Sequence, residues 1–201
     1  METIKIWNNK ASERQLRELA RRLDNGEIAI VPTDSLYAIV GDALNSKVID
    51  RICRLKGINP DKTNLSIICS DISTAAEYAR IENNGYKMLK EYTPGPFTWL
   101  FRSVSTLPKA FKGRKTVGVR IPDNEFAREL AQTLGRPLIT TSIEFEDDDY
   151  AINPGLIAEN YEGKVDFMVE GEEGITEAST IVDLTDGTPV VTRDGLGKLE
   201  D

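Results

Sequence analysis

The sequence has 201 residues, of which 40% are hydrophobic and 29% are charged, a balance typical of globular proteins rather than of disordered or fibrous ones. It contains no histidine, which excludes serine–histidine and cysteine–histidine catalysis and every histidine-ligated metal site. The formal charge of −8 disfavours non-specific coating of nucleic acid, although a local basic cleft within an acidic surface remains compatible with it.

The spacing of apolar residues predicts helices and strands that alternate along the chain. The predicted helices run from Ser12 to Gly26, from Ser46 to Leu55, from Ser70 to Arg80, from Asn84 to Tyr92 and from Phe126 to Leu134. The predicted strands are IKIW, EIAIV, LSIIC (65–69), FTWLF, TVGVRI, PLITTS, VDFMV, STIVDL and PVVTR. Because several late strands have no helix between them, the pattern predicts an α/β fold with a mixed sheet, in a single domain over residues 1–201.

Cysteine usage and the hydropathy of the chain bear on its location. Cys53 and Cys69 form no C-x-x-C motif and are too few for a disulfide framework, which favours reduced thiols. The first 14 residues contain no apolar signal segment, and no stretch approaches 18 apolar residues. We therefore expect a cytoplasmic protein that has no membrane partner.

Polar residues concentrate where predicted strands and helices end, the usual place for ligands in α/β proteins. These stretches are 32–37, 54–66, 140–142 and 179–180, the last followed by Arg193. Hydroxyl groups together with Lys56, Arg120 and Arg193 suit an anionic, oxygen-rich ligand. Each has a structural alternative, since hydroxyls serve as turn residues, Lys56 complements a helix end and Arg120 pairs with a carboxylate in a sheet.

The acidic run at 144–149 lacks the ligand spacing of a calcium loop, so it is interpreted as a solvated loop and no metal ligand is predicted. Spacing alone therefore predicts an anion-binding α/β domain.

The succession of motifs, more than any one of them, resembles the YrdC-like family, the threonylcarbamoyl-AMP synthase superfamily. The matching segments are PTDSLYAI (32–39), Lys56-Gly57-Ile58, TPGPFTWLF (93–101), TVGVRIP (116–122), GRPLITTS (135–142), STIVDLT (179–185) and VTRDGLG (191–197). They cover about residues 12–198 in the family's order, and their details are most similar to the YciO branch.

The resemblance implies a twisted, largely seven-stranded mixed sheet, flanked by helices, with a large concave cleft. It also implies a nucleotidyltransferase that joins L-threonine, bicarbonate and ATP into threonylcarbamoyl-AMP, with magnesium as the expected metal. That product is linked to the threonylcarbamoyladenosine modification of tRNA.

By position, the resemblance assigns roles to ten residues. The catalytic residues would be Lys56 and Arg193. The amino acid would be held by Thr33, Arg120, Ser142 and Ser179, with Arg120 facing its carboxylate. The nucleotide would be held by Lys56, Lys62, Asn64, Ser66, Thr116 and Arg193.

Two departures from the family pattern predict weakened adenylate chemistry. Ile58 replaces the arginine of a KxR pair, and Glu144 stands where an S-x-N motif has asparagine. Two alternatives therefore stay open. One is a module that binds double-stranded RNA or tRNA through a rim of Lys56, Lys62, Arg114, Lys115 and Arg193. The other is a hydrolase of a related carbamoyl-adenosine bond, in which the acidic run 144–149 positions water.

Overall fold

The computed structural model describes residues 1–200. Its helices are α1 (Glu13–Asp24), α2 (Ser46–Lys56), α3 (Ile72–Tyr78), α4 (Asn83–Tyr92), α5 (Glu125–Leu134), α6 (Asp149–Ile152) and α7 (Pro154–Asn160), with a 3-10 turn at Lys109–Phe111. Its strands are β1 (Glu2–Lys5), β2 (Ala29–Val31), β3 (Ala38–Asp42), β4 (Ser66–Ile68), β5 (Ala79–Arg80), β6 (Phe97–Ser103), β7 (Thr116–Arg120), β8 (Leu138–Ser142), β9 (Phe167–Glu170), β10 (Thr180–Asp183) and β11 (Val190–Arg193). None of the helices in this range is both long and apolar enough to cross a lipid bilayer.

The predicted helices form because local capping and apolar spacing agree. At α1, the Ser12 side chain accepts the Gln15 amide while the Gln15 side chain accepts the Ser12 amide, which satisfies two otherwise unpaired donors. At α2, the Asn45 side chain caps the first turn, and Gly57 ends the helix with φ of 62°, a conformation in which glycine has no steric penalty. Lys56 is therefore the last helical residue before a sharp turn.

The strands form one mixed sheet in the order β1-β9-β2-β3-β8-β4-β7-β6-β10-β11, with β5 paired to β6. The predicted fold class is confirmed, but the sheet has eleven strands rather than about seven. The sequence analysis missed β3, a fully buried strand inside the segment PTDSLYAIVGD, because that segment was interpreted as a polar motif. It also missed α6 and α7, which are too short to show a helical period.

One face of the sheet changes character along its width. On β2, β3 and β9, and at Ile68 and Leu138 at the ends of β4 and β8, this face packs against α1 and α5 in one apolar cluster. On β4, β7 and β8 the same face carries Ser66, Gly118 and Thr140, which lie directly across from one another in the ladder. The apolar half holds the helices, and the polar half forms the floor of a cavity.

Candidate functional site

A cavity of about 400 Å³ lies over the polar half of the sheet, and we call it the polar cleft. It is lined by Ile52, Lys56, Ile58, Thr63, Asn64, Leu65, Ser66, Thr98, Arg120, Ile139, Thr140, Thr141, Ser142, Ser179, Ile181 and Arg193. Its volume lies in the range of small-molecule sites.

Arg120 is buried at the cleft and is held from one side only. Its Nη2 donates to Asp34 Oδ1 at 2.6 Å and to Ser35 Oγ at 2.9 Å. Burial lowers the pKa of the Arg120 guanidinium, the charge of Asp34 opposes that change, and the nearby Arg193 adds to it. Within residues 1–200, Arg120 Nε and the hydroxyl of Thr140 are buried without a hydrogen-bond partner. Unpaired buried donors are costly, so these two atoms favour a ligand oxygen.

Arg193, Ser179 and Thr98 form a second polar group in the cleft. The hydroxyls of Thr98 and Ser179 lie 2.8 Å apart. Arg193 donates from Nε and Nη2 to the Ser179 carbonyl at 3.1 and 2.8 Å, and from Nη2 to the Ser179 hydroxyl at 3.2 Å. Partial burial lowers the pKa of Arg193. Across residues 1–200, Arg193 forms no ion pair with a carboxylate, which leaves its charge available to an anion.

Lys56 reaches from the end of α2 to the end of β8. Its Nζ donates to the Ser142 carbonyl at 2.8 Å and lies 2.9 Å from Glu144 Oε1. The Lys56 side chain is 9% exposed, whereas that of Glu144 is 70% exposed. Lys56 thus does more than complement the helix end, because it joins two elements at the wall of the cleft.

Gly118 lies against two residues of the cleft, Ser66 and Thr98. A Cβ atom at this position would lie 2.4 Å from Ser66 Oγ and 3.0 Å from Thr98 Cγ2, closer than real side chains approach. A glycine inside a strand often marks such a close approach. A side chain at position 118 would therefore displace the two hydroxyl side chains that line the cleft here.

The structure brings together most of the residues that the resemblance assigned to the site. Seven of the ten line the polar cleft: Lys56, Asn64, Ser66, Arg120, Ser142, Ser179 and Arg193. The other three lie outside it. Thr33 lines an adjoining cavity of about 610 Å³, and its hydroxyl donates to the Leu36 carbonyl at 2.8 Å and accepts the Ser35 amide at 3.0 Å.

The remaining two residues support the cleft rim. Thr116 donates to Asn64 Oδ1 at 2.6 Å, so it orients a residue of the cleft without lining it. Lys62 has an exposed side chain, and its carbonyl accepts a hydrogen bond from Arg114 Nη1.

Sequence reasoning missed Thr98, Thr140 and Gly118. Thr98 is the polar residue within the apolar run FTWLF, and Gly118 interrupts the strand TVGVR, so both carried a recognisable signal. Thr140 lay in the polar stretch 140–142, from which only Ser142 was chosen. The acidic run does not line the polar cleft: residues 144–147 line another cavity of about 730 Å³, which shares Lys56 with the cleft.

Comparison with known proteins identifies the family. A model of the family described as "Telomere recombination", which groups Sua5, YciO and YrdC, matches residues 21–195. The chain is 30% identical to the uncharacterized protein YciO of Escherichia coli over 198 residues, which cover 97% of this chain and 96% of that one. It is also 30% identical to a putative threonylcarbamoyl-AMP synthase of Methanocaldococcus jannaschii, over 96% of this chain and 92% of the relative.

Solved structures agree with these matches. The crystal structure of E. coli YciO superposes with a TM-score of 0.90 at 29% identity, covering 98% of both chains. The crystal structure of Pyrococcus abyssi Sua5 complexed with L-threonine superposes with a TM-score of 0.87 at 27% identity, covering 97% of this chain and 58% of Sua5. The fold is therefore shared with YciO and with the matching part of a threonine-binding relative.

Proposed function

The chain belongs to the Sua5, YciO and YrdC family, and we propose that its polar cleft binds ATP and L-threonine for adenylate-forming chemistry of the threonylcarbamoyl-AMP synthase type, in a weakened form. The observation that carries the proposal is the convergence of Lys56, Arg120 and Arg193 with several hydroxyls in one cavity. Relatives named as threonylcarbamoyl-AMP synthases and a relative in complex with L-threonine support the choice of substrates.

The proposed arrangement assigns each charged group according to which of its donors or charges has no partner in the described chain. Arg193 has no carboxylate partner among the described residues and would take the phosphates, with Lys56 beside it. The unpartnered Nε of Arg120 would donate a hydrogen bond to one carboxylate oxygen of threonine, and the hydroxyls of Ser142 and Ser179 would fix the orientation of the amino acid.

The chemistry fits a chain that has no histidine. Threonine's amine and bicarbonate give a carbamate with loss of water. A carbamate oxygen then attacks the α-phosphorus of ATP while the bond to the bridging oxygen breaks and pyrophosphate leaves. Such a displacement depends on alignment and on neutralising charge at the phosphate more than on a general base. The cations of the cleft supply both.

Magnesium is not part of the proposal. Among residues 1–200, no three Asp, Glu or Cys side chains gather as a metal site, and the carboxylates nearest the cleft cations are engaged with Arg120 and Lys56. The residues of the chain alone therefore provide no preformed cage for magnesium, and no step is derived through the metal.

The weakening follows from Ile58. This side chain lines the cleft and packs partly buried against the apolar core, at the position of the arginine in the family motif. An apolar side chain cannot replace a bidentate phosphate donor, and losing one charge-assisted contact costs about 1.5–3 kcal/mol.

The test is release of pyrophosphate by purified protein with ATP, bicarbonate and L-threonine. We expect slow release that depends on threonine, is lost in Arg193→Gln and rises by about tenfold or more in Ile58→Arg, because a phosphate donor is restored. Lys198→Gln, an exposed change close to Arg193 in sequence, is the matched control. No threonine-dependent release from any folded variant, Ile58→Arg included, would contradict the proposal.

A second candidate is RNA binding, which one observation favours. Lys62, Lys112, Arg114 and Lys115 are exposed, and Arg114 donates to Asn64 at the edge of the cleft, so a basic patch borders the cavity on an acidic protein. If RNA binds there, the affinity for a tRNA falls steeply with rising salt and is weakened by Arg114→Gln. Absence of binding at low salt removes this candidate.

A further inference from the structure

The two partners of the Lys56–Glu144 ion pair differ in burial, and this difference affects which ligands the cleft can bind. The stem of Lys56 is buried, and its ammonium is held by the carbonyl of Ser142 at 2.8 Å independently of Glu144. The cation of the pair is therefore fixed.

The anion of the pair is free to move. The backbone of Glu144 is anchored, because its amide donates to Tyr161 Oη at 2.8 Å and its carbonyl accepts from Asn160 Nδ2 at 3.3 Å. The Glu144 side chain, in contrast, is 70% exposed and within residues 1–200 has Lys56 as its sole ion-pair partner. Glu144 itself lines the cavity of about 730 Å³, which gives its carboxylate room to move away from Lys56. Leaving Lys56 costs little, because an exposed carboxylate is readily hydrated.

We propose that Glu144 is a specificity-determining residue that acts as a displaceable counter-ion of Lys56, so that the cleft discriminates against ligands according to their negative charge. An anionic group that binds Lys56 must first break the ion pair between Lys56 and Glu144, and it is then repelled by the nearby Glu144 carboxylate. An uncharged nucleoside binds without either unfavourable contribution to the free energy. The inference rests on the proposed binding of a nucleotide in the cleft, and it adds that Glu144 lowers the affinity for negatively charged ligands.

The expected order of affinities follows from electrostatics. Removing the Glu144 charge restores a free ammonium and deletes a like charge near the phosphate, and both gains grow with the charge of the ligand. In Glu144→Gln, which keeps the shape of the side chain, we expect about fivefold tighter binding of AMP, about tenfold or more for ATP, and unchanged binding of adenosine.

The experiment is calorimetric titration of the purified full chain with ATP, AMP, adenosine and inorganic pyrophosphate. Glu146→Gln is the matched control, because it removes one charge from the same acidic run and the same cavity lining, whereas within residues 1–200 Glu146 forms no ion pair with Lys56. The double variant Lys56→Gln/Glu144→Gln should lose the gain, since the gain is assigned to a freed Lys56.

Three outcomes overturn the inference: equal affinities for ATP in Glu144→Gln and the unchanged protein, an equal gain in Glu146→Gln, or a gain that also appears with adenosine. Failure of Glu144→Gln to bind either ATP or pyrophosphate overturns it as well. Failure of the proposed function shows separately, as absence of threonine-dependent pyrophosphate release by protein whose nucleotide affinities follow the expected order.

Discussion

One face of a single sheet is used in two opposite ways in this molecule. Over β2, β3 and β9 it is apolar and is sealed by α1 and α5. Over β8, β4 and β7 it is polar, and its floor includes a glycine and two buried donors that have no partner in the described chain. The sealed half gains stability from burial, whereas the open half keeps charged and hydroxyl groups that burial alone disfavours. Under the proposed function, the apolar half of this sheet face serves packing, and the polar half is the part left open to a ligand.

The largest loss of stability is expected from breaking the buried ion pair between Arg120 and Asp34. In Arg120→Met, the carboxylate of Asp34, whose side chain is 7% exposed, is left without its cation. We expect the free energy of unfolding in urea to fall by about 3–5 kcal/mol, because an unpaired buried charge is strongly destabilising.

The double variant Arg120→Met/Asp34→Asn should regain much of this loss, since it removes the stranded charge. A loss below about 1 kcal/mol in the single variant would show that Asp34 is hydrated and that the pair lies effectively at the surface.

A somewhat smaller loss of stability is expected from a change in the apolar half of the sheet face, with no effect on ligand binding in the cleft. Leu130 lies on α5 and is fully buried. Leu130→Ala should therefore lower the free energy of unfolding by about 3 kcal/mol, because it leaves a cavity in the apolar cluster. The affinity for ATP below the unfolding transition should stay within about twofold. A large loss of ATP affinity in the folded variant would show that the two halves are coupled.

A substitution of Lys56 tests the role of the polar cleft in ligand binding. Its place at a helix end implies a solvated lysine, but the structure buries its stem and gives it two partners. We therefore expect Lys56→Met to weaken ATP binding by about tenfold or more and to lower stability by about 1 kcal/mol. Lys47→Met, an exposed lysine in the first turn of α2, should do neither. Unchanged ATP affinity with a large loss of stability would return Lys56 to a purely structural role.

The smallest effect concerns a helix cap outside both halves and depends on pH. Asp71 caps α3 by accepting the Thr74 amide at 2.7 Å, and this hydrogen bond lowers the pKa of its carboxyl below the usual value of 3.8. A depressed folded-state pKa stabilises the protein above the unfolded pKa, and that contribution is lost as the pH falls through the folded value.

Asp71→Ala should therefore cost about 1 kcal/mol at pH 6, measured by urea unfolding, and the difference in stability from the unchanged protein should narrow as the pH falls below 3.8 and through the lower folded-state pKa. A gap that stays constant down to pH 2.5 would show that the cap does not depend on the charge of Asp71.

Predictability from the sequence also differs between the two halves. The helices α1 and α5 could be predicted because their apolar spacing and caps are local properties of the chain. The strand β3 could not, because full burial on both sides removes the alternation that marks a strand. For the cleft, motif order identified seven lining residues, whereas the ion pairs that two of them form could not be predicted. Arg120 meets Asp34 across 86 residues of sequence, and Lys56 meets Glu144 only because α2 ends beside β8.

The position of β9 in the sheet has a consequence for how the chain folds. β9 is inserted between β1 and β2 and pairs in parallel with both, although about 135 residues separate it from β2. During synthesis, β1 therefore has no strand partner until residues 167–170 have left the ribosome. Parallel pairings of such high sequence separation form slowly, because the entropy of closing the loop is lost before any contact is gained. The edge of the sheet that carries β1 is therefore expected to acquire hydrogen-exchange protection late in refolding, after the β3–β8 ladder.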